Sequence, residues 1–409
     1  MKVVVLICIL FQFPIFGEVA AKNNSFSIYL DADFSNHLES SESIERGLKV
    51  ALETVQSTIM GRSVKIIRKD HRGNSARSKR HIKQFSKDSN ALLMVSGIHS
   101  PPLLAHRDYI NENEILFLIP WAAAGPITRY PSDQNWIFRL SIDDSKAGKV
   151  IANYAIKKKK YKKPYLLLEN TGWGKSNEKT MSKSLKGLGI SDFKVGWFNW
   201  NLKKAGANSL INDILKTDSD VVFLVANSIE GAVIVDAMAS QPSDKVIPIL
   251  SHWGIIGGDF HKKVIFENRL KVDLTFLQTK FSFLNNKLSK YQSNVLAKTK
   301  SMFPDVKSAK DILAPTGFIH AHDLVLLLIE ASKAVEPNQS ISKIRKELRS
   351  ALEEIKSPVQ GLIKTYKQPF SIYSKSNPDA HEALETIDFV MASFGINDEI
   401  ILNPWRFQK

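Results

Sequence analysis

Two runs of four short apolar segments, each alternating with helix-length stretches, constrain this 409-residue chain more than any other feature. The first run covers 26–30, 64–68, 91–95 and 115–119; the second covers 164–168, 193–198, 220–225 and 246–250. Both end in a loop of small residues opened by a tryptophan: Pro120-Trp121-Ala122-Ala123-Ala124-Gly125 and Ser251-His252-Trp253-Gly254. Strands separated by helices of ten or more residues predict parallel sheets covered on both faces. In such sheets ligands sit beyond the carboxyl ends of the strands. The expected class is α/β, with two Rossmann-like lobes of mainly parallel sheet around a cleft.

Helix patterns fill the gaps at 41–58, 207–216, 229–238, 286–302, 316–335 and 341–355. Ile44, Leu48, Ala51, Leu52 and Val55 form one stripe at helical spacing, with Ser41 as the expected cap. A further strand is expected over 136–140, and a last one over 387–393. Crossings between lobes are expected at 141–145, 270–279 and 357–365, which makes a three-crossing hinge. The resulting division is 22–140 plus 279–356 for lobe I, and 141–278 plus 357–409 for lobe II. Residues 368–382, polar and carrying Pro369 and Pro378, read as a surface loop.

Residues 1–21 read as a secretory signal peptide, with Lys2, an apolar run over 3–16 and the small-residue site Val19-Ala20-Ala21. The apolar run is shorter than the roughly 20 residues needed to span a bilayer. Cleavage would remove Cys8, the only cysteine. The mature chain then lacks thiol catalysis, disulfides and cysteine-held metals. The net charge of +15 is spread along the chain, and its densest run, 157–163, lies at a helix end before a strand. Lysines there complement the helix dipole. A solvated basic face accounts for them, and no nucleic-acid partner is expected.

No catalytic constellation emerges, so an enzyme is not expected. Gly172-Trp173-Gly174-Lys175-Ser176 has the tail of a phosphate loop, but Glu169 stands where that loop needs its first glycine. Asp143–Asp144 and Glu353–Glu354 are adjacent pairs, so their carboxylates diverge. His320 and His322 stand two apart on a helix and point to different faces. No metal or cofactor is expected. Trp121, Trp173 and Trp253 each fall directly after a strand, and together they predict an aromatic cleft.

Taken together, these residues resemble the type I periplasmic binding proteins, in particular the branched-chain amino-acid and amide receptors of ABC importers. The resemblance spans nearly the whole mature chain in element order. The family's serine-rich loop after the third strand is matched by Ser96-Gly97-Ile98-His99-Ser100. Its carboxylate-holding turn is matched by Pro120-Trp121-Ala122-Ala123, where amides remain and the hydroxyl is missing. Trp173-Gly174 matches the aromatic loop of the second lobe, and Asn227 and Ser228 match a contact after its third strand. The family's acidic residue after the fourth strand is replaced by Ser251-His252-Trp253, which argues against a zwitterionic amino acid. Phe318 matches an aromatic lid contact. The resemblance therefore implies ligand contacts from His99, Ser100, Trp121, Ala122, Ala123, Trp173, Asn227, His252, Trp253 and Phe318. It also implies a monomeric, exported periplasmic protein that closes on a small organic molecule, amino-acid-like, an amide or an aromatic acid, with an aromatic or apolar acid or amide favoured over a plain aliphatic amino acid. Its partner would be an ABC permease or, alternatively, a membrane sensor.

Overall fold

A computed structural model describes residues 25–403 except 133 and 286. The expected signal peptide lies outside the described residues. The first sheet contains β1 (Ser25–Ala32), β2 (Thr58–Ile59), β3 (Arg62–Asp70), β4 (Ala91–Ser96), β5 (Phe117–Ile119) and β6 (Ile137–Arg139). Its strand order is β2-β3-β1-β4-β5-β6, parallel except for the short β2–β3 pair. Helices α1 (Leu38–Glu53), α2 (Ser75–Lys87) and α3 (Ser100–Glu112) connect these strands.

The second sheet contains β7 (Pro164–Glu169), β8 (Lys194–Phe198), β9 (Val221–Val225), β10 (Ile249–Ser251) and β11 (Thr275–Thr279). Its connecting helices are α4 (Asp144–Asn153), α5 (Gly172–Gly187), α6 (Lys204–Leu215), α7 (Ser228–Ala239), α8 (Phe260–Lys263) and α9 (Phe266–Lys271). The chain then forms α10 (Lys290–Met302), α11 (Pro315–Ser332), α12 (Ile341–Glu353), a hairpin of β12 (Val359–Gln360) and β13 (Thr365–Tyr366), and the strands β14 (Phe389–Phe394) and β15 (Ile400–Asn403). The second sheet runs β15-β14-β11-β10-β9-β7-β8, with β14 and β15 antiparallel at one edge.

The central strands are apolar throughout because both faces are covered. Every residue of β4 and of β9 is buried. Helix α12 keeps the narrower stripe of a helix wet on one side, burying Ile344, Leu348 and Leu352. Helix α1 packs on α11 so closely that a Cβ on Gly47 would stand 2.3 Å from the Phe318 carbonyl oxygen.

The passage between β6 and α4 overlaps the expected 141–145, whereas the second follows β11, because 270–279 forms the end of α9 and β11 of the second sheet. The third differs. Residues 357–365 do not cross; β12 and β13 fold back against α11, where Asp323 accepts from the amides of Leu362 and Ile363. The chain stays with the first sheet until Arg139 N donates to His381 O and Ala383 N donates to Arg139 O, and only then reaches β14. The expected surface loop 368–382 is also corrected. It carries the buried Phe370, Tyr373, His381 and Glu382.

The cause is Arg139, a fully buried guanidinium that must be paired. It bonds Glu382 Oε1 at 2.6 Å, Asp143 Oδ1 at 3.2 Å and the carbonyls of Ala122 and Ala124. Burial alone would raise the Asp143 carboxyl, but Arg139 and Arg129 outweigh it and hold it at about 2. Helix α4 begins at Asp143, whose side chain caps it, so this ion network fixes the first crossing.

Candidate functional site

Each sheet reverses its winding once, between β1 and β4 in the first and between β7 and β9 in the second. The crevice beyond the carboxyl ends at such a reversal is where open α/β sheets bind ligands. Asp33 and His99 follow β1 and β4; Trp173 and Asn227 follow β7 and β9. The loops after β5 and β10 add Trp121–Ala124 and His252–Trp253.

The three tryptophans converge. Trp121 and Trp253 lie with ring centroids 5.6 Å apart, Trp253 meets His320 at 5.1 Å, and Trp173 stands edge-on to His252 at 5.2 Å. All three are buried, Trp121 and Trp253 to about 1% exposure. Two glycines make the seam possible. A Cβ on Gly254 would lie 2.5 Å from the Ala226 carbonyl and 2.7 Å from Trp173, and one on Gly257 would lie 2.5 Å from Ile98. The Gly-Lys-Ser stretch has a steric explanation too: a Cβ on Gly174 would sit 1.8 Å from the Glu169 carbonyl.

A carboxylate reaches this cluster from an unexpected direction. Asp144, in the first turn of α4, accepts from Trp173 Nε1 at 3.2 Å. Its Oδ1 is also 3.2 Å from His252 Nε2, without the alignment of a hydrogen bond. Four buried polar atoms in these carboxyl-end loops have no hydrogen-bond partner: Ser96 Oγ, Trp121 Nε1, Asp144 Oδ2 and His252 Nε2. Buried polar groups are ordinarily paired. A carboxylate from the first crossing thus stands beside His252, where the sequence after β10 offers none. The sequence reading missed it because Asp143 and Asp144 were weighed as one pair, whereas one faces the ion network and the other the tryptophans.

The remaining expected contacts divide. Ser100 Oγ accepts from Ala124 N at 3.2 Å, so it ties two loops together. Ala122 and Ala123 are buried, and their carbonyls accept from Arg139 and from Asp144 N. Asn227 donates to Glu169 Oε2 at 3.1 Å. Burial pushes that Glu169 carboxyl up to about 7. Phe318 stands apart from the tryptophans, in the smaller core cluster, where it packs on Phe283 and stacks on His322. His320, two residues on, is the residue of α11 that meets Trp253; its ring also reaches Pro120 O and Thr279 Oγ1.

His99 lies on the other side of the seam. It lines a cavity of about 160 Å³ with Asp33, His37 and Arg72 of the first lobe and Trp200 and Glu230 of the second. Burial opposes the charge on Asp33, but hydrogen bonds from His99 and Asn36 outweigh it and hold its carboxyl well below the usual range. Burial, reinforced by repulsion from His99, pushes His37 down to about 3. A larger groove of about 730 Å³ runs between α4 and α5, lined by Arg129, Lys149, Lys157, Lys179 and Lys183. Gly125 and Pro126, which follow Trp121–Ala124 after β5, also line it, as does Ser176, whose Oγ accepts from Gly125 N at 3.1 Å.

Two parallel-sheet lobes, crossed three times and facing each other through their carboxyl-end loops, define a bilobal solute-binding protein. The sequence agrees: the model of the periplasmic binding protein family matches residues 33–257, and the chain belongs to that family. No curated protein matches the sequence. In structure the chain is similar to a type 1 periplasmic binding protein of Bordetella pertussis, with a TM-score of 0.76, 16% identity, and coverage of 93% of this chain and 100% of that one. It is also similar to a leucine-binding protein of Thermotoga maritima (TM-score 0.72, 14% identity, 93% and 98% covered). A third similar structure is an ABC-transporter solute-binding protein of R. palustris in complex with benzoate (0.73, 16%, 92% and 95%). At these identities the likeness is one of fold.

Proposed function

We propose that this protein is exported to the periplasm, captures a small organic molecule between its lobes by hinge closure, and delivers it to an ABC importer. The observation that carries the reading is the set of unpartnered buried atoms, Trp121 Nε1, Asp144 Oδ2 and His252 Nε2, among three tryptophans at facing strand ends. Aromatic faces with a few convergent polar groups suit a small ligand. Two donors, Trp121 Nε1 and His252 Nε2 (its Nδ1 accepts from Trp253 N), and one acceptor, Asp144 Oδ2, beside aromatic faces favour a ligand with an apolar or aromatic body and both a donor and an acceptor. Amides and amino-acid-like compounds have that character. Leucine and benzoate, named for two proteins of similar fold, bracket the size. Asp144 supplies an anion for a ligand ammonium or amide N–H, so a zwitterion is accommodated better than the sequence around His252 suggests.

The site residues are proposed accordingly: Trp121, Trp173, His252, Trp253 and Asp144 at the ligand, with Ser100, Ala122, Ala123 and Asn227 holding their loops. The test is a tryptophan-fluorescence titration across a panel of small amides, amino acids and aromatic acids. Asp144→Asn should weaken the best ligand by roughly tenfold or more, the value of one charged hydrogen bond. If Trp121→Ala, Trp173→Ala and Trp253→Ala all left that affinity unchanged, the aromatic cleft would not be the site.

A further inference from the structure

A second cluster of ligating side chains stands in the inter-lobe cavity, across the seam from the tryptophans. Asp33 follows β1, His37 is the residue just before α1, and His99 follows β4. Because β1 and β4 are neighbours at the winding reversal, residues 33 and 99 are brought together despite their distance in sequence. One donor atom from each of Asp33, His37 and His99 lies within 4.8 Å of the others. His99 Nε2 is 3.2 Å from Asp33 Oδ2. Asn36 orients the carboxylate through its amide at 2.9 Å and its side chain at 3.1 Å.

His37 is the telling member. As a residue it is 7% exposed and lines the cavity, and its ring makes no hydrogen bond among the described residues. An imidazole that lines a cavity without a protein partner is free to meet a ligand there. Two imidazoles and a carboxylate are a donor set that late divalent transition metals favour, with three protein ligands and an open position. Ligands at about 2.1 Å from one tetrahedral ion stand roughly 3.5 Å apart, which small side-chain rotations would supply. The open position would face the second lobe, where Glu230 lines the opposite wall and accepts from Asn201 N at 2.9 Å.

We propose that Asp33, His37 and His99 form a binding site for a divalent transition-metal ion of the zinc type, on the first lobe and open toward Glu230 of the second. The site is separate from the organic-ligand reading, because none of its three residues touches the tryptophan cluster's unpartnered atoms. Ion occupancy there would tie the lobes together, since the facing wall belongs to the other sheet.

The test uses untagged protein stripped with chelator. Cobalt(II) is followed by visible absorption and zinc(II) by calorimetry. The expected result is one equivalent bound, with cobalt bands distinct from those of the aqueous ion. His37→Ala and His99→Asn should each weaken zinc by roughly tenfold or more while circular dichroism is unchanged. Anomalous scattering from zinc-soaked crystals of the unmodified protein decides the matter if either variant fails to fold: a peak among the three side chains supports the site. Absence of saturable uptake, binding that survives both variants, or a peak elsewhere overturns it. None of these readouts involves an organic ligand, so the two readings stand or fall separately.

Discussion

At the scale of single residues, burial decides the chemistry. His320 is fully buried between Pro120 O and Thr279, and burial pushes it down to about 4. Unfolded, it protonates near its ordinary value of 6.5. Between those values the unfolded chain binds more protons than the folded one, so stability from this residue rises with pH and is lost as pH falls below about 6.5. The slope is about 1.4 kcal/mol per pH unit for one such group. In urea unfolding at pH 7.5, 6 and 4.5, His320→Gln should flatten the acid loss by about that slope. Parallel curves for the two proteins would contradict the assignment. Arg139 carries the opposite lesson. Arg139→Met would leave Glu382 and Asp143 buried with one fewer partner, and a loss of about 3–5 kcal/mol is expected in the same assay. A loss under about 1 kcal/mol would mean that the network is not the lock on the first crossing.

At the scale of elements, the helix–helix and loop–loop approaches are set by glycines. Gly47→Ala drives a methyl onto the Phe318 carbonyl, where backbone must yield. A loss of about 1–3 kcal/mol in thermal or urea unfolding is expected, whereas a helix-propensity gain alone would stabilise. The strands and long helices of this chain were legible in sequence because each buries a continuous apolar face with its own period. Seven of the eight core strands, β6 and β14 overlap the stretches that alternation predicts, β10 starts only at Ile249 rather than at 246, and α6, α7, α11 and α12 fall where helical stripes do. Helix α1 starts earlier than its Ser41 cap suggested, at Leu38. What was not legible depends on partners distant in sequence. Glu382 looks like one more acid in a polar loop until Arg139 is placed beside it. Asp144 looks redundant next to Asp143 until α4 turns one inward to Trp173. Asp33 and His37 have no metal spacing of their own until β4 delivers His99. Phe318 and His320 share a helix, and only packing reveals that the histidine meets the tryptophans.

At the scale of the molecule, the organic-ligand site proposed above draws on loops of both lobes. Trp121 comes from one wall and Trp173, Trp253 and His252 from the other, with Asp144 at the crossing between them. Whatever binds between these loops therefore favours the arrangement in which the walls meet. Part of the basic charge, Arg129, Lys149, Lys157, Lys179 and Lys183, lines the groove beside α4 and α5. The most direct test of the central claim is a crystal structure of the protein with the compound that gives the largest saturable fluorescence shift. The expected result is that compound enclosed by Trp121, Trp173 and Trp253, with a polar atom on Asp144 or His252. A compound seated in the lysine-lined groove between α4 and α5, with the tryptophan cluster unchanged, would contradict it.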